Sequence, residues 1–259
     1  MSLDLNVKIG NLKLKNPIMV ASGTFGYAEE IRGLLDLKKL GAIVSKTITL
    51  RPRRGNSPPR TCETAGGMLN SIGLENPGVE IFIAEKLPYL RKLGVPIIVS
   101  IASEANPEEF VKLATRLDKV KGVSAIELNL SCPNLGKSKI ENRESKLIAQ
   151  DRSATYQTVK AVRKATKKTL VAKLSPNVTD IKEIAKAAQA AGADAVSLIN
   201  TLVALAVDIE TRRPELGNIT GGLSGPAIKP VALNMVREVY AAVKIPIIGM
   251  GGIMTVEDA

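Results

Sequence analysis

Seven short runs rich in apolar and β-branched residues recur along the chain with amphipathic segments between them, and this alternation restricts the fold more than any other feature. The runs are PIMVAS (17–22), AIVSKT (42–47), PIIVSIA (96–102), AIELNL (125–130), LVAKLS (170–175), AVSLIN (195–200) and PIIGMG (246–251). Their near-continuous apolarity predicts strands buried on both faces, which is the signature of a parallel sheet. Between them, PEEFVKLATRLDKV, SATYQTVKAVRKAT, DIKEIAKAAQAAG and IKPVALNMVREVYAAV place apolar residues at helical spacing with Lys and Glu opposite. Strand, helix and strand in succession require right-handed crossovers.

A doubly wound sheet and a closed barrel both satisfy that alternation. No GxGxxG follows the first run and no GxxxxGK[ST] occurs, whereas polar or reactive residues end nearly every run: Ser22, Lys46 with Thr47, Ser100, Asn129 with Cys132, Lys173, Asn200 with Thr201, and Gly251 with Gly252. In a barrel those ends converge on one face, where barrel enzymes keep their sites. The expected fold is therefore α/β, a TIM (β/α)8 barrel, preceded by a small β-hairpin in NVKIGNLKLKNP. After the seventh run only GGIMTVEDA remains. Residues 1–259 are accordingly expected to form a single barrel domain truncated after strand 7, without the C-terminal strand 8 and the second phosphate loop.

Composition narrows the chemistry. With 259 residues and 45% of them hydrophobic, one sizeable core is affordable. The N-terminus MSLDLNVKIG lacks a basic region followed by an apolar one, and no run approaches bilayer-spanning length, so a cytoplasmic protein without a membrane association is expected. Cys62 and Cys132 are the only two cysteines and no CxxC occurs, which predicts no disulfide framework and no metal site. A net charge of +11 invites a nucleic-acid reading, yet aromatics make up 3% of residues and offer almost no stacking platform. The one basic cluster, RPRRGNSPPR (51–60), reads as a solvated loop or a docking surface for an acidic partner. Histidine is absent, so proton transfer near neutral pH falls to Cys, Lys, Asp, Glu, Tyr or water.

At the run ends, GGLSG (221–225) and GMGG (249–252) allow close approach of backbone N–H groups to an anion, and suggest a phosphorylated cofactor or a structural turn. Lys46 and Lys173, facing an enclosed site, call for anionic partners such as a carboxylate and an electron-rich ring; the alternative is that each caps a strand at the rim. Asn70, Asn129, Asn134 and Asn200 each pair donors with an acceptor, matching the edge of a cyclic amide or imide. Cys132 is the candidate base, because a thiol accepts a proton at neutral pH far more readily than a serine hydroxyl.

The set ASGTFGY, SKT, NSIGLENPG, NLSCPN, KLSPN, INT, GGLSGPAIKP and GMGGI resembles the dihydroorotate dehydrogenase family, flavin enzymes of pyrimidine (UMP) biosynthesis, from residue 5 to the end. ETAGGMLNSIGLENPG (63–78) looks most like its class 1B catalytic subunits. The resemblance implies one FMN per subunit, held by Ala21, Ser22, Lys46, Thr47, Ser100, Asn129, Lys173, Ile199, Gly225, Gly251 and Gly252. It implies dihydroorotate or orotate contacts from Lys46, Asn70, Ser71, Ile72, Gly73, Leu74, Asn129, Asn134, Asn200 and Thr201. Cys132 would take a proton from carbon 5 with Lys46 beside the substrate, while the hydride on carbon 6 passes to the flavin. Electrons would reach NAD through a partner subunit carrying FAD and a 2Fe-2S cluster, with a homodimer of this subunit inside a heterotetramer.

Three departures from the family pattern stand out. Ser100 occupies a position where Asn is usual, the stretch after NLSCPN lacks the glycine-rich FG lid, and the eighth strand is not present. Competing expectations are a dihydropyrimidine dehydrogenase-type subunit, against which Lys46 argues, an inactive flavin- or pyrimidine-binding fragment, and fumarate in place of NAD as acceptor (class 1A).

Overall fold

The computed structural model describes residues 4–103, 107–130 and 147–259. All seven runs are strands: β1 (Met19–Val20), β2 (Ala42–Val44), β3 (Ile97–Ile101), β4 (Ala125–Asn129), β5 (Thr169–Lys173), β6 (Ala195–Leu198) and β7 (Ile247–Gly249). They form one parallel sheet in strict chain order, with β1 and β7 at its two edges. Every neighbouring pair is parallel, with Asn129 beside Lys173 in the register of β4 and β5, and Ser100 beside Glu127 in that of β3 and β4. No helix of the described residues is long and apolar enough to cross a membrane.

The crossovers follow the helical periods. Gly78–Ile81 (α1) runs through a π-turn into Leu87–Lys92 (α2), and Pro107–Asp118 (α3), Arg152–Ala165 (α4), Ile181–Ala190 (α5) and Lys229–Ala242 (α6) complete the set. Asp151 and Asp180 cap α4 and α5 by accepting from the amides of Ala154 and Lys182, as N-cap carboxylates do. The outward faces of the strands, including Ile126, Leu128, Leu170, Ala172, Val196 and Leu198, pack with Phe110, Leu113, Val159, Ile184 and Val239 of these helices in the main core. One crossover departs from the expectation. Between β1 and β2 the described chain makes turns and a short 3-10 helix, Leu37–Lys39, but no α-helix; Gly23, Gly26 and Gly33 all have positive φ there, which interrupts helical geometry.

The expected hairpin pairs Val7–Ile9 with Leu12–Leu14 around Gly10. Its apolar side, Ile9 and Leu14, is buried with Met19 of β1, Ala42 and Val44 of β2, Ile98 of β3, Ala125 of β4, Val171 of β5, Ala195 of β6 and Ile248 of β7. Residues from all seven strands meeting one plug means that the sheet curves around it, as in a partial barrel. Thr169 at the start of β5 ties the plug down, with its hydroxyl donating to the Ile9 carbonyl and accepting from the Asn11 amide. The hairpin therefore closes one end of the strands, and the site must lie at the other.

The sequence pattern did not announce a second sheet on that open side. Thr61–Thr64, Gly67–Asn70, Thr220–Ser224 and Leu202–Leu205 pair antiparallel in four strands. This corrects the reading of GGLSG as a phosphate loop throughout. Gly221 and Gly222 are strand residues, and a Cβ on Gly222 would collide with the Thr201 hydroxyl. Only Gly225 leaves the strand, with φ 100°, and leads into α6.

Candidate active site

The strand ends converge as the alternation requires. Ser22 just past β1, Thr47 past β2, Ser100 in β3, Asn129 at the end of β4 and Asn200 past β6 form one hydrogen-bonded chain. The Thr47 hydroxyl lies 2.8 Å from that of Ser22 and 2.9 Å from that of Ser100. Asn129 Nδ2 donates to Thr47 Oγ1 at 3.4 Å, and Asn129 Oδ1 accepts from Asn200 Nδ2 at 3.2 Å. Thr47, Ser100 and Asn129 are buried. A buried polar chain costs stability unless its members satisfy one another, and these do so while still leaving donor and acceptor capacity.

Lys173 ends β5 next to Asn129 and is only 5% exposed. Among the described residues its ammonium makes no hydrogen bond and no ion pair. Burying an ammonium without a counter-charge costs several kcal/mol, so the position fits an anionic or electron-rich group supplied from outside the chain. Lys46, past β2, is half-buried and its amide donates to the Gly26 carbonyl. Ala21 follows β1 as a half-buried residue, and Ile199, buried, follows β6 across a cis peptide from Leu198.

The two glycine segments do meet. Gly251 and Gly252 follow β7 with φ 117° and 72°, and a Cβ on Gly252 would lie 2.9 Å from the Gly225 carbonyl oxygen and 2.7 Å from Lys229 Cβ. This places all three glycines at the entry to α6, with Gly251 and Gly252 packed against Ile228, Lys229 and Ala232, a position that suits a phosphate.

The Asn70–Leu74 stretch leaves the second sheet and leads toward α1. Asn70 Nδ2 donates to the Gly222 carbonyl, buried Ser71 accepts from Asn56, and Thr201 is anchored by Asn177, whose Nδ2 donates to its carbonyl at 3.1 Å. Gly73 and Leu74 both have positive φ, and a side chain on Gly73 would strike Asn56. What holds this turn is Asn76, a residue that the sequence analysis did not single out. Its Oδ1 accepts from the amides of Thr49 and Gly78, and its Nδ2 donates to Thr49 Oγ1 and to the Leu74 carbonyl. Asn76→Ala is expected to cost about 3 kcal/mol of unfolding free energy, since it strands several buried polar groups at once. Urea denaturation checks this, and a loss below about 1 kcal/mol would mean that the turn holds itself.

Two arginines of the basic cluster serve the same turn. Arg53 Nε donates to the Gly73 carbonyl, and Arg60 pairs with Glu75 at 2.6 Å while donating to the Asn56 carbonyl. These bonds give two arginines of the cluster a structural role in the turn. Cys132 and Asn134 lie outside the described residues. The described cysteine, Cys62, sits on the outer strand Thr61–Thr64, where burial and then the Glu215 carboxylate push its thiol up from its ordinary range, which disfavours it as a base. Burial likewise pushes the Tyr27 phenol up, with Glu30 adding to the shift.

A family model described as "Dihydroorotate dehydrogenase" matches residues 4–259. The chain belongs to the dihydroorotate dehydrogenase family. Among its dihydroorotate dehydrogenase relatives, a protein of Trichlorobacter lovleyi is 53% identical over 255 residues, covering 98% of this chain and 82% of the relative. One of Pelobacter propionicus is 52% identical over 259 residues, 100% of this chain and 83% of the relative. One of Geobacter sulfurreducens is 52% identical over 256 residues, 99% and 82%. All three are described as "Dihydroorotate dehydrogenase B (NAD(+)), catalytic subunit". Dihydroorotate dehydrogenases are flavin enzymes, and the partnerless Lys173 and the glycine cradle are of the kind that a flavin's ring and phosphate require.

Proposed function

We propose that this chain is the NAD-linked catalytic subunit that oxidises dihydroorotate to orotate in pyrimidine biosynthesis, with FMN as its flavin. The observation that carries the reading is the buried ammonium of Lys173, which has no partner among the described residues and lies beside the hydrogen-bonded Asn129. Its seven strands are taken as part of a (β/α)8 barrel within one domain, residues 1–259.

In this reading Ala21, Ser22, Lys46, Thr47, Ser100, Asn129, Lys173 and Ile199 hold the flavin ring and its side chain, and Gly225, Gly251 and Gly252 receive its phosphate. When bound, the flavin supplies the two-electron acceptor for the hydride on carbon 6 of dihydroorotate. Lys46 meets the substrate carboxylate as a point charge. Asn129, Asn134 and Asn200 read the amide edges of the pyrimidine ring, and residues 70–74 with Thr201 complete the pocket. Cys132 takes the proton from carbon 5, so that proton and hydride together account for the two hydrogens lost. Lys173 offers positive charge where negative charge arrives on reduction. The name "catalytic subunit" borne by the relatives supports a partner. That partner is taken as an electron-transfer subunit carrying FAD and a 2Fe-2S cluster, around a homodimer of this chain.

The test is steady-state oxidation with the partner subunit and NAD, comparing dihydroorotate with dihydrouracil. Turnover of dihydroorotate alone is the expected result, because dihydrouracil has no carboxylate for Lys46. Preference for dihydrouracil, or fumarate reduction in place of NAD reduction, would replace this assignment.

A further inference from the structure

The only two charged side chains buried among the described residues are Lys173 and Glu127, and the chemistry above uses only the first. Glu127 is 1% exposed and lies mid-strand in β4, on the same inward face as Ala125 and Asn129. Its neighbour in β5 is Val171, two residues below Lys173 on the same face. One carboxylate oxygen accepts from the Ser197 hydroxyl of β6 at 2.9 Å, and the other has no hydrogen-bond partner among the described residues. In the register of β4, β5 and β6, Asn129, Lys173 and Ser197 lie side by side, and Glu127 sits one inward position below Asn129 with its carboxylate reaching across β5 to Ser197. No ion pair joins Glu127 to Lys173, whose carboxylate and ammonium are held more than 4.0 Å apart.

A buried carboxylate with an idle oxygen is costly and needs a reason. We propose that Glu127, fixed by Ser197, is a positioning residue for Lys173: a counter-charge one layer below the site that orients the ammonium and sets how strongly the site attracts electrons. The proposal rests on the flavin reading. At this depth the two charges interact through protein instead of water, so the coupling survives the separation. Because Ser197 holds the carboxylate back, Lys173 stays available to the group above it.

The test is the flavin midpoint potential of the holoprotein, measured against a reference dye. Glu127→Gln removes negative charge and is expected to raise the ratio of reduced to oxidised flavin at a fixed potential by roughly tenfold, about 30 mV for a two-electron couple. Ser197→Ala keeps both charges but releases the carboxylate toward Lys173, and is expected to move the potential the opposite way. Unchanged potentials in variants that retain flavin would overturn the proposal, as would shifts of both variants in the same direction. A flavin-free readout separates the two inferences. In the apoprotein, Glu127→Gln combined with Lys173→Met is expected to melt higher than the two single shifts sum to, because the pair's attraction is lost only once. Additive melting temperatures would overturn the coupling; non-additivity in a chain that binds no flavin would uphold it while refuting the flavin reading.

Discussion

Cys132→Ala is expected to lower dihydroorotate turnover by about 10²- to 10⁴-fold, the usual contribution of a positioned general base, with flavin content unchanged. The chain contains no histidine, so no neighbouring imidazole can take over the proton. Cys62 is remote from the role by placement, on the outer strand of the second sheet with its thiol pushed up by burial. Cys132→Ser should retain more activity than alanine and regain it as pH rises, since a hydroxyl needs more basic conditions to accept the proton. Turnover against pH for the three proteins is the measurement. A Cys132→Ala variant within a few-fold of the parent would assign the carbon 5 proton to another group or to water.

The second large effect concerns binding. Lys173→Met keeps the unbranched stem of the side chain and deletes its charge, and is expected to weaken flavin affinity by about 10²-fold, or roughly 3 kcal/mol. The fold should remain, because the ammonium makes no hydrogen bond or ion pair among the described residues. Flavin content after purification and fluorescence titration of the apoprotein read this directly. Lys46→Met provides the contrast. Lys46 is only half-buried, and its loss should raise the KM for dihydroorotate more than it lowers flavin content. Full flavin occupancy in Lys173→Met would mean that its ammonium is not what the cofactor meets.

Much of this arrangement was legible because period and residue type agreed. AIELNL and LVAKLS are mostly apolar runs with a polar residue near the C-terminal end, which is how a parallel strand feeding a site reads, and the two strands stop at Asn129 and Lys173 as expected. The hairpin followed from alternation around Gly10. What escaped was structure whose local signal points elsewhere. TGGLS has weak strand propensity, yet Thr220–Ser224 is an inner strand of the second sheet because only glycine lets it pass the Thr201 hydroxyl. Asn76 looks like a turn residue, yet two of its side-chain hydrogen bonds reach across 27 positions to Thr49. Glu127 was hidden inside an apolar run, where nothing local tells that its carboxylate meets Ser197 seventy positions later. The polar chain from Ser22 to Asn200 lay between the two cases. Each member could be named from its place after a strand, but the bonds among them depend on the curvature of the sheet.

The most direct test of the function is the visible absorption spectrum of the purified protein, recorded anaerobically before and after addition of dihydroorotate. The expected result is a flavin band that bleaches on addition, establishing cofactor, substrate and half-reaction together. A flavin band that persists, or a protein that stays colourless after reconstitution with FMN, would contradict it.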